Sequence, residues 1–235
     1  MPQKTTTIPG IGEVTLAKRK GSRHIRLSVS AAGKVRVGLP SWLPYSAGIE
    51  FARRRQEWIT KHLADHKKHL LVDGGRVGKS YRLKYIHNPM AIKTTTRVIG
   101  QTININSAQR LEDEQVQTAA RRASERAIRK EAEKLLPERL ERLSKQHFLG
   151  YKSVKIKRLA SRWGSCSSNK IISLNFFLMQ LPWPLIDYVL VHELVHTKHM
   201  NHSNEFWTEF ERIQPDAKAT RSLLKKYRPV INTVS

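Results

Sequence analysis

Residues 185–199 read Leu-Ile-Asp-Tyr-Val-Leu-Val-His-Glu-Leu-Val-His-Thr-Lys-His. Within them, His192-Glu193-x-x-His196 constrains the fold more than any other feature. Imidazoles four residues apart share a face on an α-helix, where about 3.6 residues complete a turn. Leu185, Ile186, Val189, Leu190 and Val191 leave that helix little polar surface, so it must be packed on several sides. Pro184 suits its first turn, where the missing N–H has no intrahelical partner to lose. The chain therefore has to build a core around a helix that carries polar chemistry.

At this spacing His192 and His196 can each place a nitrogen on one Zn²⁺ at ~2.0–2.1 Å. Glu193, next along the helix, can reach water activated by the metal without being a ligand, the place of a general base. A chain of this composition produces H-E-x-x-H by chance roughly 0.02 times. The plainer alternative, two solvated histidines on an amphipathic helix, conflicts with the apolar flanks.

A catalytic zinc takes three protein ligands and keeps one position open. His199 would lie about 4.5–5 Å further along an unbroken helix than His196, too far to close a compact ligand face. His202 lies ten residues after His192 and can fold back if the helix ends near Met200 and the chain turns at Asn201. That is the offset of the elongated H-E-x-x-H-x-x-G-x-x-H motif, with His199 in the glycine place. His202 is the favoured third ligand, and His199 is read as supporting or surface. Glu205 and Glu209 are weaker carboxylate alternatives.

The chain has 235 residues, with 43 Lys and Arg against 19 Asp and Glu, a net charge of +24. Residues 1–80, 81–150 and 151–235 carry net +11, +6 and +7, so no basic arm stands out. Such a surface suits non-specific, salt-sensitive contact with DNA or another polyanion, or is simply a solvated exterior. One cysteine, Cys166, excludes an intrachain disulfide and a four-cysteine zinc site. Met1 to Ile8 lacks the apolar core of a signal peptide, and no apolar run approaches the ~20 residues of a membrane span. A cytoplasmic protein without a membrane partner is expected.

The elements predict an α+β chain. Residues 6–40 read as antiparallel strands, with Ile25, Leu27, Val29, Val35, Val37 and Leu39 alternating around a turn at Ala32-Gly33. A helix is expected over 46–70, and strands near Tyr81–Tyr85, Arg97–Ile99 and Thr102–Ile105. The composition shifts at Ser107. A long helix over 109–146 follows, with a break or kink expected at Pro137. Strands at Ser153–Leu159 and Ile171–Phe177 precede the helix over 185–199. Ser203 can cap a helix from Asn204 to about Ile213, and Asp216–Tyr227 reads as the last. Two regions result: 1–106, β-rich with one helix, and 107–235, with the long helix, a small sheet and the H-E-x-x-H helix.

Ser161-Arg162-Trp163-Gly164-Ser165-Cys166-Ser167, Ile172-Ser173-Leu174-Asn175, Asp187 to His196, Asn201-His202-Ser203 and Phe206-Trp207 together resemble the YgjP-like metallopeptidases. These are zinc-dependent hydrolases related to the SprT-like and WLM proteases. The resemblance extends to the Arg19–Pro40 hairpin and the helix holding Trp58-Ile59. It implies a zincin-like metallopeptidase domain behind an N-terminal antiparallel β-rich region. It also implies His192, His196 and His202 as zinc ligands with Glu193 beside them, and does not supply a substrate.

Around this core, Arg162 can stabilise an oxyanion or pair with a carboxylate, the structural role being favoured. Tyr188 precedes His192 by four residues and can approach the site, though packing is favoured. Cys166 reads as a structural thiol, and Trp163, Phe206 and Trp207 as packing residues. The leading expectation is a zinc metallopeptidase acting on a protein or peptide substrate. The alternative is a basic nucleic-acid-binding module with a structural or vestigial zinc site. A third reading, by analogy with SprT-like relatives, joins the two as a protease of nucleic-acid-associated proteins.

Overall fold

The computed structural model describes residues 3–29, 33–68, 70–229 and 231. Met1 and Pro2, Ala32 of the expected turn, and His69 of the expected helix lie outside them. The architecture is α+β, in two compact units: residues 1–70 with 109–117, and residues 71–108 with 118–235.

In the first unit, strands β1 (Gln3–Ile8), β2 (Gly12–Arg19), β3 (Arg26–Val29) and β4 (Val35–Pro40) form a sheet of order β1-β2-β4-β3. β1 with β2, and β3 with β4, are antiparallel pairs, but β2 and β4 run parallel. Period-two alternation fixes which face of a strand is apolar and leaves its direction open. That face works as expected: Val14, Leu16, Val35, Val37 and Leu39 are buried together with Ile8, Ile11, Ala52 and Ile59. The helix expected over 46–70 is divided into α1 (Tyr45–Arg54) and α2 (Gln56–Lys68). Arg55 leaves helical geometry between them (φ −106°, ψ 18°). Arg53 and Arg54 stand in the last turn of α1, where the helix dipole favours cations.

The second unit holds two mixed sheets. β5 (Arg76–Val77), β6 (Tyr81–His87), β7 (Thr95–Ile99) and β8 (Thr102–Ser107) take the order β5-β6-β8-β7, with β6 and β8 parallel. β9 (Ser153–Lys157), β10 (Gly164–Cys166) and β11 (Ile171–Asn175) take the order β10-β11-β9, which leaves β10 at an edge.

Helix α3 spans Glu114–His147 and runs through Pro137 without interruption, against the expected break. Its Val116, Ala120, Ala123, Ala127, Ala132, Leu136, Leu140 and Leu143 recur every three to five residues and are all buried. An interior proline costs about 3 kcal/mol. Burying a leucine stabilises by roughly 1.5–3 kcal/mol, so Leu136 and Leu140 on either side can offset it.

Helix α4 (Trp183–Val195) is buried on nearly every side, as its sequence requires. Its first turn is clasped by cations. The Arg139 guanidinium lies 4.4 Å from the Trp183 ring centroid and the Lys79 ammonium 4.8 Å. Arg139 also pairs through two nitrogens with Asp187, one turn into the helix. α4 is followed by α5 (Asn204–Ile213) and α6 (Ala217–Leu224). Ser203 stands at the N-cap of α5, but its side chain makes no capping bond. Its hydroxyl is engaged by the Glu205 carboxylate instead. No helix among the described residues is long and apolar enough to cross a membrane.

Lys79 donates to the Leu181 carbonyl just before α4. Burial pulls its pKa down to about 8; Glu131 opposes, while Arg76 and Arg139 reinforce. Between about pH 8 and 10.5 the unfolded chain then binds more protons at this residue than the folded chain. Stability contributed here rises with pH through that window. The melting temperature of Lys79→Met relative to the native chain should therefore be higher at pH 7.5 than at pH 9.5; parallel pH profiles would exclude this role.

Candidate metal centre

The α4 helix stops at Val195, one turn earlier than the expected end near Met200, with His196 as its C-cap. Thr197, Lys198 and His199 form turns that hydrogen-bond back to Leu194 and Val195. The early stop brings His202 back over the helix. Its Nε2 lies 3.1 Å from His192 Nε2. One ring nitrogen from each of His192, His196 and His202 lies within 4.8 Å of the others.

His196 Nδ1 lies 3.0 Å from the His199 carbonyl oxygen. A carbonyl can only accept, so Nδ1 donates and Nε2 is the ring atom left to ligate a metal. The His199 side chain turns elsewhere: its Nε2 lies 2.9 Å from Glu209 Oε2, and Lys198 holds the other oxygen of Glu209 at 2.8 Å. Glu209 is thus engaged away from the three histidines, and Glu205 is exposed at the start of α5.

The electrostatics suit a cation among neutral rings. Burial, then His196, His202 and Arg221, push His192 down to about 3. Burial, His196 and Arg221 lower His202 as well. Both therefore stay neutral near pH 7, the form that ligates metals. Three converging imidazoles are a donor set that can hold Zn²⁺.

Glu193 is 5% exposed. Its Oε2 has no hydrogen-bond partner among the described residues. Burial raises its carboxyl to about 8, against the opposing effect of Arg162. A buried carboxyl with an unsatisfied oxygen is costly to keep for structure alone and is a common mark of an acid–base site.

Gly164 on β10 explains how Glu193 is accommodated. A β-carbon there would stand 2.7 Å from Glu193 Cγ and Oε1. Gly164→Ala should displace the carboxylate and lower hydrolysis by about 10²-fold, the order expected for a misplaced catalytic group. Metal content and melting temperature should change little. Unchanged kcat/KM in this variant would remove Gly164 from the account.

Asn175, at the end of β11, fixes the segment that leads into Gly164. Its side-chain nitrogen donates to the carbonyls of Leu159 at 2.8 Å and Arg162 at 2.9 Å, and its own N–H to Trp163 at 2.9 Å. Sequence reasoning gave Asn175 no role; a polar residue ending an apolar strand was the available signal. Phe206 was read only as packing. Its ring lies 5.1, 4.7 and 4.8 Å from the rings of His192, His196 and His202, and forms a floor beneath all three.

Tyr188 is buried, stacks on His192 at 6.3 Å and meets Phe210 edge-on. It also lines the cleft beside the histidines, as do Arg162 and Trp163. Cys166 closes β10, and burial and Glu193 push its thiol up to about 11, away from the thiolate form. Trp207, Arg221, Lys225 and Tyr227 line the same cleft; Arg221 carried no signal in the sequence, and Lys225 only that of a basic pair with Lys226.

The family model described as YgjP-like, metallopeptidase domain, matches residues 23–227. No curated protein matches the chain. Among solved structures, the metallopeptidase zymogen of Pyrococcus abyssi abylysin is 26% identical over 39% of this chain and 94% of that one, with a TM-score of 0.36.

Proposed function

The chain belongs to the YgjP-like metallopeptidase family and is a metal-dependent peptidase; we propose that it uses Zn²⁺ held by His192, His196 and His202, with Glu193 as general base. The observation that carries this reading is the convergence of the three ring nitrogens within 4.8 Å. The buried, unpartnered Glu193 oxygen beside them supports it.

When bound, Zn²⁺ supplies Lewis acidity that polarises the scissile carbonyl and the attacking water. The protein does the rest. His199 fixes the His196 ring through its backbone carbonyl. Glu193 Oε2 takes a proton from the attacking water and returns it to the leaving amine, so the carboxylate ends as it began. Gly164 lets that carboxylate sit against β10. β10 is an edge strand whose small residues leave room for an extended peptide to lie alongside it.

The net charge of +24 supports a second element: the enzyme meets part of its substrate on polyanions, as proteins associated with nucleic acid. A purely structural zinc in a basic binding module fits less well, since such sites close with four ligands and need no adjacent base. The test is cleavage of protein and peptide mixtures by the zinc-loaded chain, with and without chelator, and with and without duplex DNA at two salt concentrations. Chelator-sensitive cleavage, accelerated by DNA at low salt and less so at high salt, is the expected result. Cleavage indifferent to DNA would remove the polyanion element, and cleavage indifferent to chelator would remove the metal.

A further inference from the structure

The cleft beside the three histidines has a volume of about 690 Å³ and an unequal charge. Among the described residues Glu193 is its one lining carboxylate, whereas Arg162, Arg221 and Lys225 are cationic. Among the described residues no carboxylate lies within ion-pair distance of any of these three.

Arg162 faces Glu193 from the segment before β10 and bears on that carboxylate. The other two belong to a separate element. Arg221 lies in the last turn of α6 and Lys225 is its C-cap, four residues on, so both project from one face. The Arg221 guanidinium lies 5.4 Å from the Trp207 ring centroid. Trp207 in turn stacks on His202 with 5.7 Å between centroids. Arg221 is therefore held one indole away from the histidine cluster. Stacking covers a face of the guanidinium and leaves its N–H edges for a planar acceptor. Val189, Tyr188, Leu224 and Tyr227 supply apolar and aromatic wall around the two cations.

We propose that Arg221 and Lys225 form a carboxylate-recognition subsite, so that the favoured substrate is a peptide with an acidic side chain or a free C-terminal carboxylate near the scissile bond. The proposal rests on the peptidase reading of the same cleft. Two cations on one face, without a carboxylate partner among the described residues and with Arg221 backed by an indole, suit a bidentate carboxylate.

The test uses labelled peptides of one sequence in four forms: Glu or Gln at internal positions, each with a free or an amidated C-terminus. Binding to full-length, zinc-loaded Glu193→Gln protein is read by fluorescence anisotropy, and cleavage by the zinc-loaded native chain by mass spectrometry. A carboxylate-bearing form should bind about tenfold more tightly than the neutral form. The form that keeps the advantage shows whether a side chain or a chain terminus supplies the carboxylate. Arg221→Glu with Lys225→Glu should abolish the preference, and the Gln pair should do so if charge reversal disturbs α6. Reversing the exposed Lys130 and Lys134 of α3 changes net charge equally and should leave it intact.

Equal binding of all four peptides overturns the proposal, as does an equal loss in the Lys130/Lys134 control. A fall in kcat on the neutral peptide in the Arg221/Lys225 variant overturns it too, because losing a recognition subsite raises KM for acidic peptides and spares turnover of the neutral one. If the native chain cleaves none of the peptides while the binding preference stands, the peptidase reading fails and the subsite survives. Cleavage without any carboxylate preference has the opposite meaning.

Discussion

Glu193→Gln should retain about one zinc per chain and lose peptide hydrolysis by roughly 10²–10⁴-fold, the usual share of general acid–base catalysis. Gln has nearly the shape of Glu, so the contact with Gly164 persists. It cannot accept the water proton as a carboxylate does. The substitution also removes a buried ionisable group whose charged form is disfavoured by burial, so the melting temperature should not fall. Metal analysis by inductively coupled plasma mass spectrometry and kcat/KM on the same preparation read the two halves of the expectation. Native activity in this variant would exclude Glu193 as the base.

His202→Ala should lose zinc, with affinity falling by more than about 10²-fold, beyond the range seen when a supporting residue is removed. His199→Ala should keep it. The difference follows from which atoms are used. His202 presents its Nε2 to the cluster, whereas His199 steadies His196 through a backbone carbonyl that alanine retains. What His199→Ala removes is the contact with Glu209. Competition with a chromophoric chelator gives both affinities. Retention of zinc by the His202 variant together with its loss from the His199 variant would reverse the assignment.

The helix carrying His192 and Glu193 was legible because two independent signals agreed: a ligand spacing that needs a helix, and apolar flanks that need burial. The return of His202 was legible as an offset of ten residues, but the turn that delivers it was not. The chain leaves the helix at His196 rather than near Met200. Thr197 helps make that early stop, its hydroxyl bonded to the Leu194 carbonyl at 2.7 Å, a local competition that periodicity does not register.

Strand direction was likewise beyond the pattern. The alternation in Val35, Val37 and Leu39 identifies their buried face equally well in parallel and antiparallel pairing. The uninterrupted passage of α3 through Pro137 depends on burial at Leu136 and Leu140, which only the folded chain supplies. Phe206, Asn175 and Arg221 were hidden for a related reason. Asn175 and Phe206 stood in the segments that carry the family resemblance and Arg221 in none, but the role of each comes from what the fold sets beside it.

The most direct test of the central claim is the rate of peptide hydrolysis by metal-depleted protein as zinc is added back. Activity should be absent at the start, rise in proportion to zinc, and level off at about one equivalent per chain, the stoichiometry of a single three-histidine centre. Hydrolysis that persists without metal, or that never appears at full loading, would contradict the assignment of His192, Glu193, His196 and His202 as a zinc peptidase centre.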